Sequence, residues 1–62
     1  MRIVIQNKVT RLFWKKKSEW AADSNEAHDF EMATDAEKFC RDSQLEQIQI
    51  VVKFESLEDV VL

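Results

Sequence analysis

The chain has 62 residues, 12 acidic and 9 basic, a net charge of −3, and neither glycine nor proline. Without glycine it cannot build a glycine-rich phosphate loop, a dinucleotide fingerprint, a nucleophile elbow or a standard EF-hand loop. One cysteine, Cys40, and one histidine, His28, supply neither a four-ligand zinc site nor an intrachain disulfide, so no metal or cofactor is expected.

At 45% hydrophobic the chain is too apolar for disorder, and no stretch is long and apolar enough to span a bilayer. Residues 1–62 read as one soluble domain with no linker or repeat. Met1-Arg2-Ile3-Val4-Ile5 does not read as a signal peptide, and a lone cysteine fits a reducing compartment, so a cytoplasmic location is expected. A domain this small buries only about 60% of its unfolded surface, which leaves it marginally stable unless a partner completes it. Turns must come from Asn, Asp, Ser and Lys, the residues that tolerate turn conformations best after glycine.

Residues 2–6 and 9–15 read as two strands around a tight turn at Asn7-Lys8, with residue 6 paired to residue 9. This register puts Ile3, Ile5, Leu12 and Trp14 on one side of the ribbon, and Val4, Arg11 and Phe13 on the other. Residues 18–30 are irregular. Asp23-Ser24-Asn25-Glu26 has capping-box spacing, which predicts a short helical turn carrying Trp20, Ala27 and Phe30 inward. Thr34-Asp35-Ala36-Glu37 repeats that spacing, and Ala36, Phe39 and Cys40 form an apolar stripe behind it, predicting a helix over 34–43. Ile48, Ile50, Val52 and Phe54 alternate with Gln47, Gln49, Val51 and Lys53, a half-buried strand. Ser56-Leu57-Glu58-Asp59 turns the chain, and Val60-Val61-Leu62 forms a short edge strand or docks on the uncovered sheet face.

The order strand, strand, helix, strand predicts an α+β fold: a two-layer β-β-α-β unit with a mostly antiparallel sheet in the order 2-1-3 and the helix on one face. The expected core joins Ile3, Ile5, Leu12 and Trp14 to Phe30, Ala36, Phe39, Cys40 and Leu45, and to Ile48, Ile50, Val52 and Phe54. Val4, Phe13 and Val51 would form an apolar strip on the other face, in need of cover.

Trp20-Ala21-Ala22-Asp23, Glu26-Ala27 with Phe30, Ala36 with Phe39-Cys40, Gln49-Ile50-Val51-Val52-Lys53-Phe54 and Asp59-Val60-Val61-Leu62 together resemble a group of small uncharacterised bacterial proteins. The resemblance implies a bacterial housekeeping or accessory protein and brings no activity, cofactor or catalytic residue with it. In that group a glycine is usual in the second-strand loop, where this chain has Lys15-Lys16-Lys17-Ser18.

Charge is unevenly spread: residues 1–20 carry six basic groups against one acid (+5), and residues 21–62 carry three against eleven (−8). Arg11, Phe13, Trp14, Lys15, Lys16, Lys17 and Trp20 form the candidate interaction surface. Interleaved rings and cations suit nucleic acid, where bases stack and lysines neutralise phosphate. The plainer account makes the rings core and the lysines guards of a sheet edge. Cys40 lies on the apolar stripe away from the helix N-terminus, so it reads as a small buried hydrophobe rather than a nucleophile. Asp23, Glu26, Asp35 and Glu37 are explained as caps. The sequence therefore points to a non-enzymatic protein-interaction or self-associating module, with an unknown protein or a second copy as partner. The alternative is weak nucleic-acid binding through residues 11–17. No membrane partner is expected.

Overall fold

The computed structural model describes residues 1–62 and has an α+β fold: one antiparallel sheet and one α-helix. The strands are β1 (Arg2–Asn7), β2 (Phe13–Lys16), β3 (Glu19–Ala21), β4 (Ile48–Lys53) and β5 (Val60–Val61), and the helix α1 is Ala33–Asp42. The sheet runs β3-β2-β1-β4-β5, with every neighbouring pair antiparallel. Three strands and an optional fourth were expected; Glu19–Ala21 adds another at one edge, directly after the lysine run. No helix is long and apolar enough to cross a membrane.

β1 and β4 form the spine, in unbroken register from Arg2 opposite Lys53 to Asn7 opposite Ile48. The central residues of both strands are apolar toward either face, as in a strand covered on its two sides, and Ile3-Val4-Ile5 and Ile50-Val51-Val52 are all buried. Ile3, Ile5, Ile50 and Val52 face α1 and bury with Ala36; Trp14, Trp20, Phe30, Phe39 and Cys40 pack around them. Trp14, Phe30 and Phe39 form an aromatic group, with Trp14 and Phe39 centroids 4.4 Å apart.

The expected tight turn at Asn7-Lys8 does not form. Gln6 pairs with Phe13, not with Val9, and residues 8–12 make a wider loop. The Asn7 side chain organises it: Oδ1 accepts from the backbone N–H of Val9 (2.8 Å) and Thr10 (2.9 Å). Arg11 closes the loop at φ 66°. The shift from Val9 to Phe13 is an even number of residues, so Trp14 and Phe13 keep the faces their pattern assigns. Leu12, expected in the core, sits half-buried in the loop.

β1 and β2 then part after that single pair, and residues 28–30 fill the split. The His28 N–H donates to the Trp14 carbonyl (3.1 Å) and the Phe30 N–H to the Ile3 carbonyl (2.9 Å). The Ile3 N–H donates to Asp29 Oδ1 (3.1 Å). Passing through this gap, the chain moves from one sheet face to the other. Ala27 therefore packs with Val4, Val51 and Phe13, while Phe30 joins the helix-side core. This corrects the expectation that Ala27 and Phe30 face inward together. It also supplies the missing cover: Val4 is 0% and Val51 3% exposed.

The turn at Ser24–Glu26 is a 3₁₀ helix, capped as expected by Asp23, whose carboxylate accepts from the Asn25 N–H (2.9 Å). The second capping box is not used. α1 begins at Ala33, one residue before Thr34, and its N-cap Met32 offers no side-chain acceptor. The helix ends in a Schellman motif: Leu45 N–H donates to the Cys40 carbonyl and Gln44 N–H to that of Arg41, with Gln44 at φ 54°. Leu45, placed in the core by its pattern, is half-buried here. Lys17, Glu31 and Gln47 take the same left-handed conformation, so none of the five such positions is Asn or Asp. Each carries a steric cost of about 1–2 kcal/mol that glycine would avoid.

Candidate functional site

The seven residues of the basic–aromatic segment do not share one surface. β2 alternation divides them. Trp14 turns to the helix side, where it touches Phe30, Phe39 and His28, and its indole Nε1–H donates to the Lys17 carbonyl (2.9 Å). Trp20 lies opposite Trp14 across β2 and β3 and packs on the same core. Phe13 turns to the other face, with Lys53 Nζ 5.8 Å from its ring centroid.

The cations stay at the rim. Lys15 approaches Glu26 at 3.7 Å and Lys16 approaches Glu19 at 4.0 Å, both exposed pairs of small energetic weight. Lys17 and Arg11 are exposed in left-handed turns. The lysine run occupies β2 and its turn, so the edge it flanks belongs to β3. Trp14 is engaged with Phe30, Phe39 and His28, while Phe13 and Trp20 are half-buried on opposite faces of the sheet.

Cys40 is half-buried against the core, and burial, aided by the neighbouring charge of Glu37, raises its thiol pKa. The His28 ring stands edge-on to Trp14 and Phe30, with centroids 5.4 and 4.6 Å away. Asp29 is the most engaged carboxylate. Backbone N–H groups of Ile3 and Glu31 (3.1 and 2.9 Å) hold its pKa below the usual 3.8, with Arg2 assisting. No three His, Cys, Asp or Glu side chains gather where they could hold a metal ion. A cleft of about 270 Å³ is lined by Met1, Arg2, Asn25, Lys53, Phe54 and Glu55. Its cations are already engaged: Arg2 donates to the Ser24 and Ala27 carbonyls, and Lys53 to Asp59 at 2.6 Å.

One feature escapes a reading of the sequence, and another, the short edge strand expected at Val60-Val61-Leu62, forms. Gln6 is buried, its Oε1 accepting from Gln49 Nε2 (2.9 Å) and its Nε2 donating to the Arg11 carbonyl (3.1 Å). The other is the open β5 edge. Val60, Val61 and Leu62 remain 46%, 56% and 60% exposed although the first two pair with β4. Leu62 N–H donates to the Ile50 carbonyl (2.9 Å). Antiparallel pairs alternate between bonded and non-bonded, so the N–H and C=O of Val61 point away from β4. That edge carries no charged side chain within Val60-Val61-Leu62, although edges are normally blunted by charge, proline or a bulge. The signal was the apolar Val60-Val61-Leu62 tail itself.

Compared with protein-family models, curated proteins and solved structures, the chain shows no significant match to any of them.

Proposed function

We propose that the protein is a non-enzymatic, self-associating interaction module that works through the free edges of its sheet. The observation that carries this reading is the exposed β5 edge, apolar in its side chains, with the backbone groups of Val61 turned outward. Strand addition there would satisfy those groups and remove Val60 and Leu62 from water. The small core argues the same way: only nine residues are buried, and extra apolar burial adds a large share to a small domain's stability.

The non-enzymatic part rests on the weakness of the candidate chemistry. Burial, aided by the charge of Glu37, raises the pKa of the only thiol, which disfavours the nucleophilic thiolate. Nucleic-acid binding through Arg11–Lys17 is less well supported, because Trp14 and Trp20 turn toward the helix. A cytoplasmic, bacterial setting is supported by the lone Cys40 and by the resemblance noted above.

Sedimentation equilibrium of the native chain tests the reading. The average mass should rise with concentration, and Val61→Lys should hold the protein at monomer mass. A native chain that stays monomeric up to about 1 mM, the weak limit of useful association, would overturn it.

A further inference from the structure

Resting on that reading, we propose that the mate of the β5 edge is the β3 edge of a second copy, joined head to tail with the strands parallel. Strand polarity comes first. Each neighbouring pair in β3-β2-β1-β4-β5 is antiparallel, so β3, β1 and β5 all run the same way. A second copy with the same orientation sets its β3 beside β5 in parallel and keeps its helix on the same face.

Charge then selects this mate. The turn into β3 carries Lys16 and Lys17, with Lys16 paired to Glu19 at 4.0 Å, and the loop into β5 carries Glu55, Glu58 and Asp59, the last bonded to Lys53 at 2.6 Å. Because the two strands share a direction, both clusters stand at the same end of the sheet, on opposite edges. Head-to-tail pairing brings the lysine turn of one copy against the acidic loop of the next. A two-fold pairing of β5 with itself is antiparallel, sets the two acidic loops at opposite ends of the seam and leaves Lys17 outside it. Like-charged contacts are penalised and complementary ones steer encounter.

Side chains agree with the placement. Trp20 and Val60 lie on the helix face of their edges, each fixed by its partner, Trp14 and Val52. Ala21 and Val61 lie on the other face, paired with Phe13 and Val51. Parallel pairing sets Trp20 beside Val60 and the small Ala21 beside Val61; the same register sets Glu19 beside Asp59, each already held by a lysine of its own copy, Lys16 and Lys53. Such a contact is heterologous: it closes into a ring or continues as an open series, and does not stop at a dimer unless blocked.

The experiment uses two variants with opposite edges disabled. Val61→Pro removes the outward N–H of β5 without touching the bonds of Val60 and Leu62 to β4. Lys16→Glu with Lys17→Glu reverses the charge beside β3. Sedimentation of the native chain should show species larger than a dimer, at least about tenfold weaker at high salt than at low salt. Each variant alone should be monomeric, and an equimolar mixture should form a one-to-one heterodimer from the two intact edges. Circular dichroism checks folding, with Val61→Lys replacing the proline variant if that fails to fold. A native dimer that never grows, or variants that do not complement, would overturn the head-to-tail arrangement while leaving self-association standing. A native monomer at every concentration would overturn both.

Discussion

The two sides of β1 are built by different means. Toward β4 the strand keeps six residues in continuous register, and both faces of that seam are buried by regular alternation. Toward β2 it keeps one pair, Gln6 with Phe13, and then hands its backbone to residues 28–30. The comparison shows how a chain without glycine or proline closes a small sheet. Where the pattern is strict, side-chain burial sets the structure; where it is not, a carboxylate and two backbone N–H groups, of Asp29, His28 and Phe30, replace a neighbouring strand. The first seam draws its stability from apolar area and the second from a few polar bonds.

Breaking the β4 seam should cost most. Ile5 is fully buried and touches the helix side of the core. Ile5→Ala should destabilise by about 3–5 kcal/mol, and Phe39→Ala, which opens the aromatic group above it, by about 2–5 kcal/mol. That is a large part of a small domain's total, so thermal or urea melts of both variants should show mostly unfolded protein near room temperature. A melting shift of a few degrees for Ile5→Ala would contradict the central place given to this seam.

The β2 seam should respond to pH and the β4 seam should not. Asp29→Ala removes a charged acceptor from the Ile3 and Glu31 N–H groups, a loss of about 1–3 kcal/mol. The folded protein holds this carboxyl below its ordinary pKa of 3.8, so the unfolded chain takes up the proton more readily. Its stabilising contribution is complete above that value and fades as the pH falls through the folded value. Urea midpoints from neutral pH down to about pH 3 should therefore decline less steeply in Asp29→Ala than in the native chain. Parallel declines would remove Asp29 from its role as the clasp of the split.

Cys40 sharpens the comparison from the helix side. Its half-buried, raised-pKa thiol should react slowly with a thiol reagent in the native protein and quickly once unfolded. Cys40→Ala should cost about 1 kcal/mol through lost packing. Fast native labelling would show that α1 lifts from the β1–β4 seam.

The smallest effect is a gain. Gln44 holds the left-handed position of the Schellman motif that ends α1. Gln44→Gly should raise stability by about 0.5–1 kcal/mol, the side-chain clash removed less the added freedom of the unfolded chain. A loss on chemical denaturation would mean that Gln44 makes a contact worth more than its strain.

Legibility in the sequence follows the same division. Ile48, Ile50, Val52 and Phe54 announce β4, and Ala36, Phe39 and Cys40 announce the buried side of α1, because period two and period 3.6 leave marks over several residues. The facing of Phe13 and Trp14 is legible even though their strand partner is not, since an even slip preserves faces. β3 is only Glu19-Trp20-Ala21, too short for any period to appear. The clasp rests on one aspartate in an irregular segment, and nothing in Asp29's neighbours marks it as the acceptor for Ile3. The same holds for Gln6 and Gln49, an ordinary polar pair in the sequence and a part-buried hydrogen bond in the fold.

The passage of residues 28–30 between β1 and β2 also constrains the order of events in folding. β2 and β3 can zip locally around Lys17-Ser18, a microsecond event for an isolated hairpin. β1 gains almost nothing from joining β2 directly, because its remaining partners are the crossing segment and the distant β4. The nucleus must therefore unite residues from near both ends of the chain, and such non-local closure slows folding relative to a helical domain of equal size. With no proline in the chain, no isomerisation phase is superimposed on that search. The crossing, which in the finished molecule looks like a patch over a gap, leaves the closing of the non-local β1–β4 spine as the step expected to limit the folding rate.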